Sequence, residues 1–159
     1  MKRFVVALAA AATLAAGEPG RWTDPKAGFS CAVPEGWVFQ ELKDGTAIFH
    51  EKDKKPPAFL NVKKVPKKGA PKTLEAYAKQ ALTDLTVPAK DLKAGTVGKL
   101  KAFRASGPVG VSDGKLLDLI LFLDDEKGAS YFTVMLTCLP DDQKAYEPVL
   151  ESFAKGLKF

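Results

Sequence analysis

In the first third of this chain, short turns separate three runs of alternating apolar and polar residues. This pattern restricts the folds that the chain can adopt. Residues 28–33 alternate apolar and polar side chains, and the tight-turn sequence Pro34-Glu35-Gly36 leads into a second run at residues 37–42. Asp44-Gly45, a typical hairpin dipeptide, precedes a third run at residues 46–50. A crossover between parallel strands needs a dozen or more residues, so these links predict antiparallel pairing.

The rest of the pattern adds five strands and two helices. Thr73 is a suitable N-cap for a helix at 74–85, where apolar residues recur at three- and four-residue spacing before Pro88. A final helix is predicted between residues 141 and 154, with Pro148 in its first turn or kinking it and Gly156 ending it. The order predicts an α+β fold, an antiparallel sheet with helices packed on it. The five strands are expected at 58–65, 92–97, 100–107, 115–123 and 129–138, the last two at the centre.

The first seventeen residues have the three-part pattern of a secretory signal peptide. Lys2 and Arg3 precede an apolar run at 4–12, and small residues suited to cleavage follow at 14–17. The run is much shorter than the roughly 20 apolar residues that span a bilayer, and no cysteine follows it to carry a lipid. We therefore predict an exported chain, periplasmic or secreted, that is neither lipid-anchored nor an integral membrane protein.

Length and charge then predict one ordinary globular domain. The expected organisation is a signal peptide at 1–17, an extended N-terminal segment at 18–27 and a single domain at 28–159. Loss of Lys2 and Arg3 lowers the net charge from +5 to +3, because 22 basic and 19 acidic residues then remain. So small a positive charge argues against a nucleic-acid partner.

Both cysteines, Cys31 and Cys138, belong to the part predicted to be exported. Their spacing is no CxxC redox motif, and oxidising surroundings favour one structural disulfide between them. Such a bridge closes a loop of about a hundred residues, worth on the order of 4–5 kcal/mol in the chain-entropy model. The alternative is two buried thiols that face the same core.

Three segments carry a family resemblance: the run at 28–37 (GFSCAVPEGW), the helix at 73–85 and the end of the chain. The first resembles the start of PsbP-like proteins, and the helix resembles their mid-chain helix. The strand at 131–139, followed by Tyr146-Glu147-Pro148 and Glu151-Ser152-Phe153, resembles their ending. The resemblance implies an α/β/α sandwich around a bent, mainly antiparallel sheet. It also implies binding of a protein or a small apolar ligand, and it supplies no catalytic residue and no cofactor.

Catalytic and metal-binding patterns are scarce. A hydrolase, the remote alternative, needs the lone His50 near a serine such as Ser106 or Ser112 and near a carboxylate, yet no G-x-S-x-G sequence marks a nucleophile. The acidic groups at 124–126 and 141–142 depart from the calcium-loop spacing. We predict no catalytic site, no cofactor and no metal site.

Lysine is concentrated in one stretch. If loop and strand share a surface, these lysines form a basic patch for an acidic partner or anionic head groups. We favour a second interpretation, in which they protect an edge strand against aggregation. Trp22 and Trp37 are suited to lining a pocket, although core packing is the commoner role. The eight lysines, within 21 residues, are Lys52, Lys54, Lys55, Lys63, Lys64, Lys67, Lys68 and Lys72.

The sequence therefore predicts an exported, non-enzymatic binding domain. Its expected role is that of an accessory or chaperone-like partner of a protein in the cell envelope. The alternative is a carrier of a small apolar ligand, which requires an apolar cavity between sheet and helices.

Overall fold

The computed structural model describes residues 20–24, 28–41, 47–55, 58–88, 91–109, 115–124 and 128–158. The predicted signal peptide and the Asp44-Gly45 turn lie outside these ranges. No helix within the ranges combines the length and the apolar character needed to cross a bilayer. The elements are β1 (Arg21–Thr23), β2 (Ser30–Ala32), β3 (Trp37–Glu41), β4 (Ala47–Glu51), β5 (Phe59–Pro66), α1 (Leu74–Asp84), β6 (Lys93–Val97), β7 (Leu100–Pro108), β8 (Leu117–Asp124), β9 (Ser130–Cys138) and α2 (Gln143–Lys155).

Seven strands form one sheet in the order β3-β4-β5-β9-β8-β7-β6, and every neighbouring pair is antiparallel. One core lies between the sheet and α2, and a second lies between the other face and α1. The predicted α+β fold, with helices on an antiparallel sheet, is confirmed, and so are the inner positions of β8 and β9. The sheet thus forms the middle layer of an α/β/α sandwich.

The most apolar strand is covered on both faces. Along β8, Leu119, Leu121 and Leu123 belong to the α2-side core, whereas Ile120 and Phe122 belong to the α1-side core. Side chains alternate between the two faces of a strand, so a strand buried on both sides requires apolar residues at nearly every position.

Local sequence signals set the ends of both helices. The hydroxyl of Thr73 accepts a hydrogen bond from the backbone N–H of Ala76, which makes Thr73 the N-cap of α1 as predicted. Pro148 is the sixth residue of α2, beyond the first turn, and it lies on the exposed side, where the carbonyl left without its helical partner faces water. Gly156 caps the C-terminus of α2.

One predicted pairing is wrong. The turn at Pro34 forms, since the N–H of Trp37 donates to the Pro34 carbonyl at 3.1 Å and Gly36 has a φ of +78°. However, β2 pairs with β1 in a separate two-stranded sheet and not with β3. Residues 21–23, within the predicted extended segment, thus form a strand of the domain. Ser30 and Lys158 also exchange two backbone hydrogen bonds, which joins this hairpin to the C-terminal segment.

Candidate functional site

The hydroxyl of Tyr146 connects α2 to the end of β4. It donates to Glu51 Oε2 at 2.5 Å and accepts from Lys54 Nζ at 2.8 Å. Lys54 Nζ also donates to Asp142 Oδ2 at 2.8 Å and lies over the Tyr146 ring. Trp37 packs edge-on against the same ring, with centroids 6.3 Å apart. Four polar side chains and one indole therefore meet at this end of the sheet.

This network holds its protons firmly. Burial, together with the hydrogen bond to the Glu51 carboxylate, raises the pKa of Tyr146 above its ordinary value. Hydrogen bonds to Asp142 and Tyr146 raise the pKa of the Lys54 ammonium. A general acid or base works best with a pKa near the operating pH, and these shifts move both groups away from neutrality. The network is suited to fixing α2 against the β4–β5 connection.

An open cleft of about 410 Å³ lies beside the network. Three of its lining side chains are carboxylates, one is an indole and one is an ammonium that is already ion-paired with Asp142. A neighbouring gap of about 10 Å³, next to Lys54 and Cys138, is no larger than one water molecule. We call the larger space the acidic cleft; its lining residues are Glu35, Gly36, Trp37, Glu51, Asp53 and Lys54.

The second candidate surface is the side of β3, β4 and β5 that faces away from α2. Phe59 is 41 % exposed, and Val38, Ile48 and His50 beside it are half-buried. None of these side chains belongs to either core, because α1 packs on β7 and β8, at the other end of the sheet. We call this surface the open half-face; it comprises Val38, Gln40, Ile48, His50, Phe59, Asn61 and Lys63, which the strand register places on one side.

His50 and Ser106 lie on opposite faces of the sheet. Ser106 is opposite Leu119 of the α2-side core, whereas His50 is opposite Val38 and Phe59 on the open half-face. Four strand spacings, about 19 Å, separate β4 from β7. The imidazole Nδ1 donates to the Glu51 carbonyl at 3.1 Å. Ser106 therefore cannot serve His50 as a nucleophile, and Ser112 lies outside the described residues.

The cysteines are free thiols, so the structure does not contain the predicted disulfide. Cys31 and Cys138 are both buried in the α2-side core, which is the alternative arrangement left open by the sequence. Burial raises the pKa of Cys31 to about 12 and that of Cys138 to about 11. Thiols with such high pKa values stay protonated at neutral pH and are poor nucleophiles.

The eight lysines do not share one surface. Lys52, Lys54 and Lys55 precede β5, whereas Lys67, Lys68 and Lys72 follow it; eight residues of extended strand separate the two groups. Lys63 and Lys64 alternate to opposite faces, and Lys64 lies over the Phe132 ring. The favoured interpretation of a protected edge strand is also wrong, because β5 lies inside the sheet between β4 and β9.

Other predicted positions serve packing or ion pairs. Asp124 binds Lys67 at 2.6 Å, and Asp142 binds Lys54. Trp22 packs into the aromatic part of the α2-side core, while Trp37 also lines the acidic cleft. Glu35 and Glu51 were not predicted from the sequence, because no local motif marks them. Glu51 and Tyr146 are 95 residues apart, so only the fold brings them together.

Comparisons with known proteins identify the fold. A scan of protein-family models and a search of curated proteins both find no match. Among solved structures, PsbP (CyanoP) of Synechocystis sp. PCC 6803 is 14 % identical with a TM-score of 0.56, and the match covers 93 % of this chain and 97 % of CyanoP. LpqN of Mycobacterium tuberculosis, described as involved in cell envelope biogenesis, is 15 % identical with a TM-score of 0.53, over 89 % of this chain and 86 % of LpqN.

A longer protein from Bacteroides thetaiotaomicron is similar in the same way. It is 16 % identical with a TM-score of 0.57, and the match covers 87 % of this chain. The chain spans about half of that protein, 47 % of its length. The fold implied by the sequence resemblance is thereby confirmed: this chain has the PsbP-like fold.

Proposed function

We propose that this chain is an exported, non-enzymatic binding domain that acts as an accessory or chaperone-like partner of a protein in the cell envelope. The observation that carries the proposal is the open half-face, where apolar side chains on three neighbouring strands remain outside both cores.

The composition of this surface suits a protein partner. Val38, Ile48 and Phe59 supply apolar area, and polar groups lie between and beside them: Gln40, His50, Asn61 and Lys63. Non-obligate protein–protein interfaces usually present such a mixture of apolar and polar surface. Contiguous exposed apolar area on a folded domain is also typical of interaction sites.

Export and an envelope location are supported by two separate observations. Residues 1–17 have the composition of a signal peptide, and LpqN, which shares the fold, is described as involved in cell envelope biogenesis. The ligand-carrier alternative has less support, because the acidic cleft is lined by carboxylates and the neighbouring gap holds only about 10 Å³.

Capture from envelope extracts of the native host tests the proposal. Phe59→Asp places a charge on the open half-face and should abolish recovery of a partner. Leu85→Asp is the matched control, since Leu85 is 37 % exposed at the end of α1, on another part of the surface. Both variants should retain the wild-type circular dichroism spectrum.

Equal recovery of the same partner by wild type, Phe59→Asp and Leu85→Asp would rule out the open half-face. Recovery of no specific protein by the wild-type chain would count against the binding function itself. A small apolar molecule retained on purification would favour the carrier instead.

A further inference from the structure

The two edges of the seven-stranded sheet differ in how their backbone groups are used. At the β6 edge, a two-residue turn joins Val97 to Leu100, which directs the Thr96 carbonyl outward. Arg104 lies across Gly95, where a Cβ would come within 2.6 Å of its Nη1, and its Nη2 donates to that carbonyl at 3.1 Å. The same nitrogen donates to Glu151 of α2 at 2.8 Å. The Arg104 side chain, which is held by Glu151 of α2, therefore occupies this edge.

The β3 edge has no such guard within the described residues. Lys52 donates its N–H to the Gly36 carbonyl at 3.0 Å, which makes this pair hydrogen-bonded across β3 and β4. Antiparallel pairing alternates, so Val38 and Gln40 bond to β4 while Phe39 directs its N–H and carbonyl outward. No described strand pairs with that side of β3. An unpaired strand edge is a template for an added strand.

The acidic cleft lies at the beginning of this edge. Trp37 is both the first residue of β3 and a wall of the cleft, and Glu51 is its partner across the β3–β4 pair. Glu35 and Asp53 are exposed, and Lys54 is neutralised by Asp142. A strand added beside β3 would run about 4.8 Å from it, so one of its side chains would reach the cleft. Carboxylates beside an indole favour a cationic side chain there.

We propose that the β3 edge binds an extended segment of a partner polypeptide by strand addition, and that a lysine or arginine of the segment enters the acidic cleft. The backbone of Phe39 supplies the hydrogen bonds, and Glu35, Asp53 and Trp37 supply the preference for a basic side chain. This inference rests on the proposed function, because both require a protein partner, but it uses a different surface.

Selection from a displayed library of random nine-residue peptides tests the inference. Peptides that bind the purified wild-type chain should contain lysine or arginine, and the synthesised winners should slow hydrogen exchange of the Phe39 amide. Glu35→Gln with Asp53→Asn should weaken their binding at least tenfold. Asp84→Asn with Asp91→Asn removes the same charge from exposed positions that do not line the cleft and should leave binding unchanged.

Four outcomes would overturn the inference: a selection that yields no binder, winners without a basic residue, winners whose binding is unaffected by the Glu35–Asp53 double variant, or winners that leave the exchange rate at Phe39 unchanged. An unchanged exchange rate at Phe39 would exclude strand addition even if basic peptides bind. Failure here leaves the capture experiment with Phe59→Asp intact, so the two proposals fail separately.

Discussion

The two halves of the sheet are made of similar strands but are packed differently. In the covered half, formed by β7, β8 and β9, both faces support a helix, and six consecutive residues of β8 are buried. In the open half, formed by β3, β4 and β5, burial along β4 alternates, and Phe59 on β5 stays exposed. The covered half is therefore packed on both faces, whereas the open half is packed on its α2 side alone.

A matched pair of phenylalanines measures this difference directly. Phe122→Ala in the covered half removes a side chain that is 0 % exposed, and it should lower the free energy of unfolding by about 3–5 kcal/mol. Phe59→Ala in the open half should cost less than about 1 kcal/mol, since little contact is lost. Urea denaturation of both variants checks the contrast. Similar losses would mean that the open half is covered in the folded chain.

The pH dependence of the free energy of unfolding tests whether water is excluded from the α2-side core around the two thiols, which lie on β2 and at the end of β9. Burial holds both folded pKa values above the ordinary value of 9.0, so unfolded thiols ionise first as the pH rises. Each thiol should then lower the free energy of unfolding by about 1.4 kcal/mol per pH unit above pH 9. Urea denaturation at pH 8, 9 and 10 measures the slope.

The control for that slope is the double variant Cys31→Ala with Cys138→Ala. It should lose the thiol contribution to the pH dependence and keep any contribution from the tyrosines. If the chain forms the disulfide predicted from its sequence, the wild type should show no such slope. Its intact mass should then be lower by two hydrogens, and it should react with a thiol reagent in urea only after reduction.

Two tyrosine hydroxyls give a smaller contrast between the halves. In the covered half, the hydroxyl of Tyr77 is buried against Thr133 Oγ1 at 2.7 Å, and Tyr77→Phe should cost about 1–2 kcal/mol because the threonine loses its partner. Tyr146 of α2 bonds to Glu51 of β4, in the open half, and Tyr146→Phe should cost less than about 1 kcal/mol, because water can reach Lys54 and Glu51. Thermal unfolding checks both values. A larger loss for Tyr146→Phe would mean that this network contributes as much to stability as the buried Tyr77–Thr133 pair.

The sequence predicted the covered half well because local pattern and burial agree there. The continuous apolar run of β8 identifies a strand covered on both faces, and the spacing around Tyr77 identifies the helix that covers it. Helix capping at Thr73 also depends only on neighbouring residues, and it was predicted correctly.

The open half and its site were predicted poorly because they depend on distant pairing. Lysines suggested an edge at β5, yet β9, more than sixty residues later in the chain, pairs with that strand. Likewise, the turn at Pro34 suggested pairing of β2 with β3, although the same turn serves equally well to join two sheets. Glu51 and Tyr146 meet only after all strands are in register.

The smallest expected effect on stability concerns the guarded edge. Arg104→Ala removes the guanidinium that joins the Thr96 carbonyl to Glu151, and because this ion pair is partly exposed the loss should be below about 1 kcal/mol. The larger consequence should be self-association, since the β6 edge then offers an unoccupied backbone carbonyl. Sedimentation velocity should show more dimer than the wild type forms.

Gly95→Ala should act in the same direction by displacing the guanidinium, whereas Lys93→Ala on the same strand should not. If Arg104→Ala and Gly95→Ala both sediment like the wild type, Arg104 does not guard the edge, and the contrast with β3 loses its physical basis.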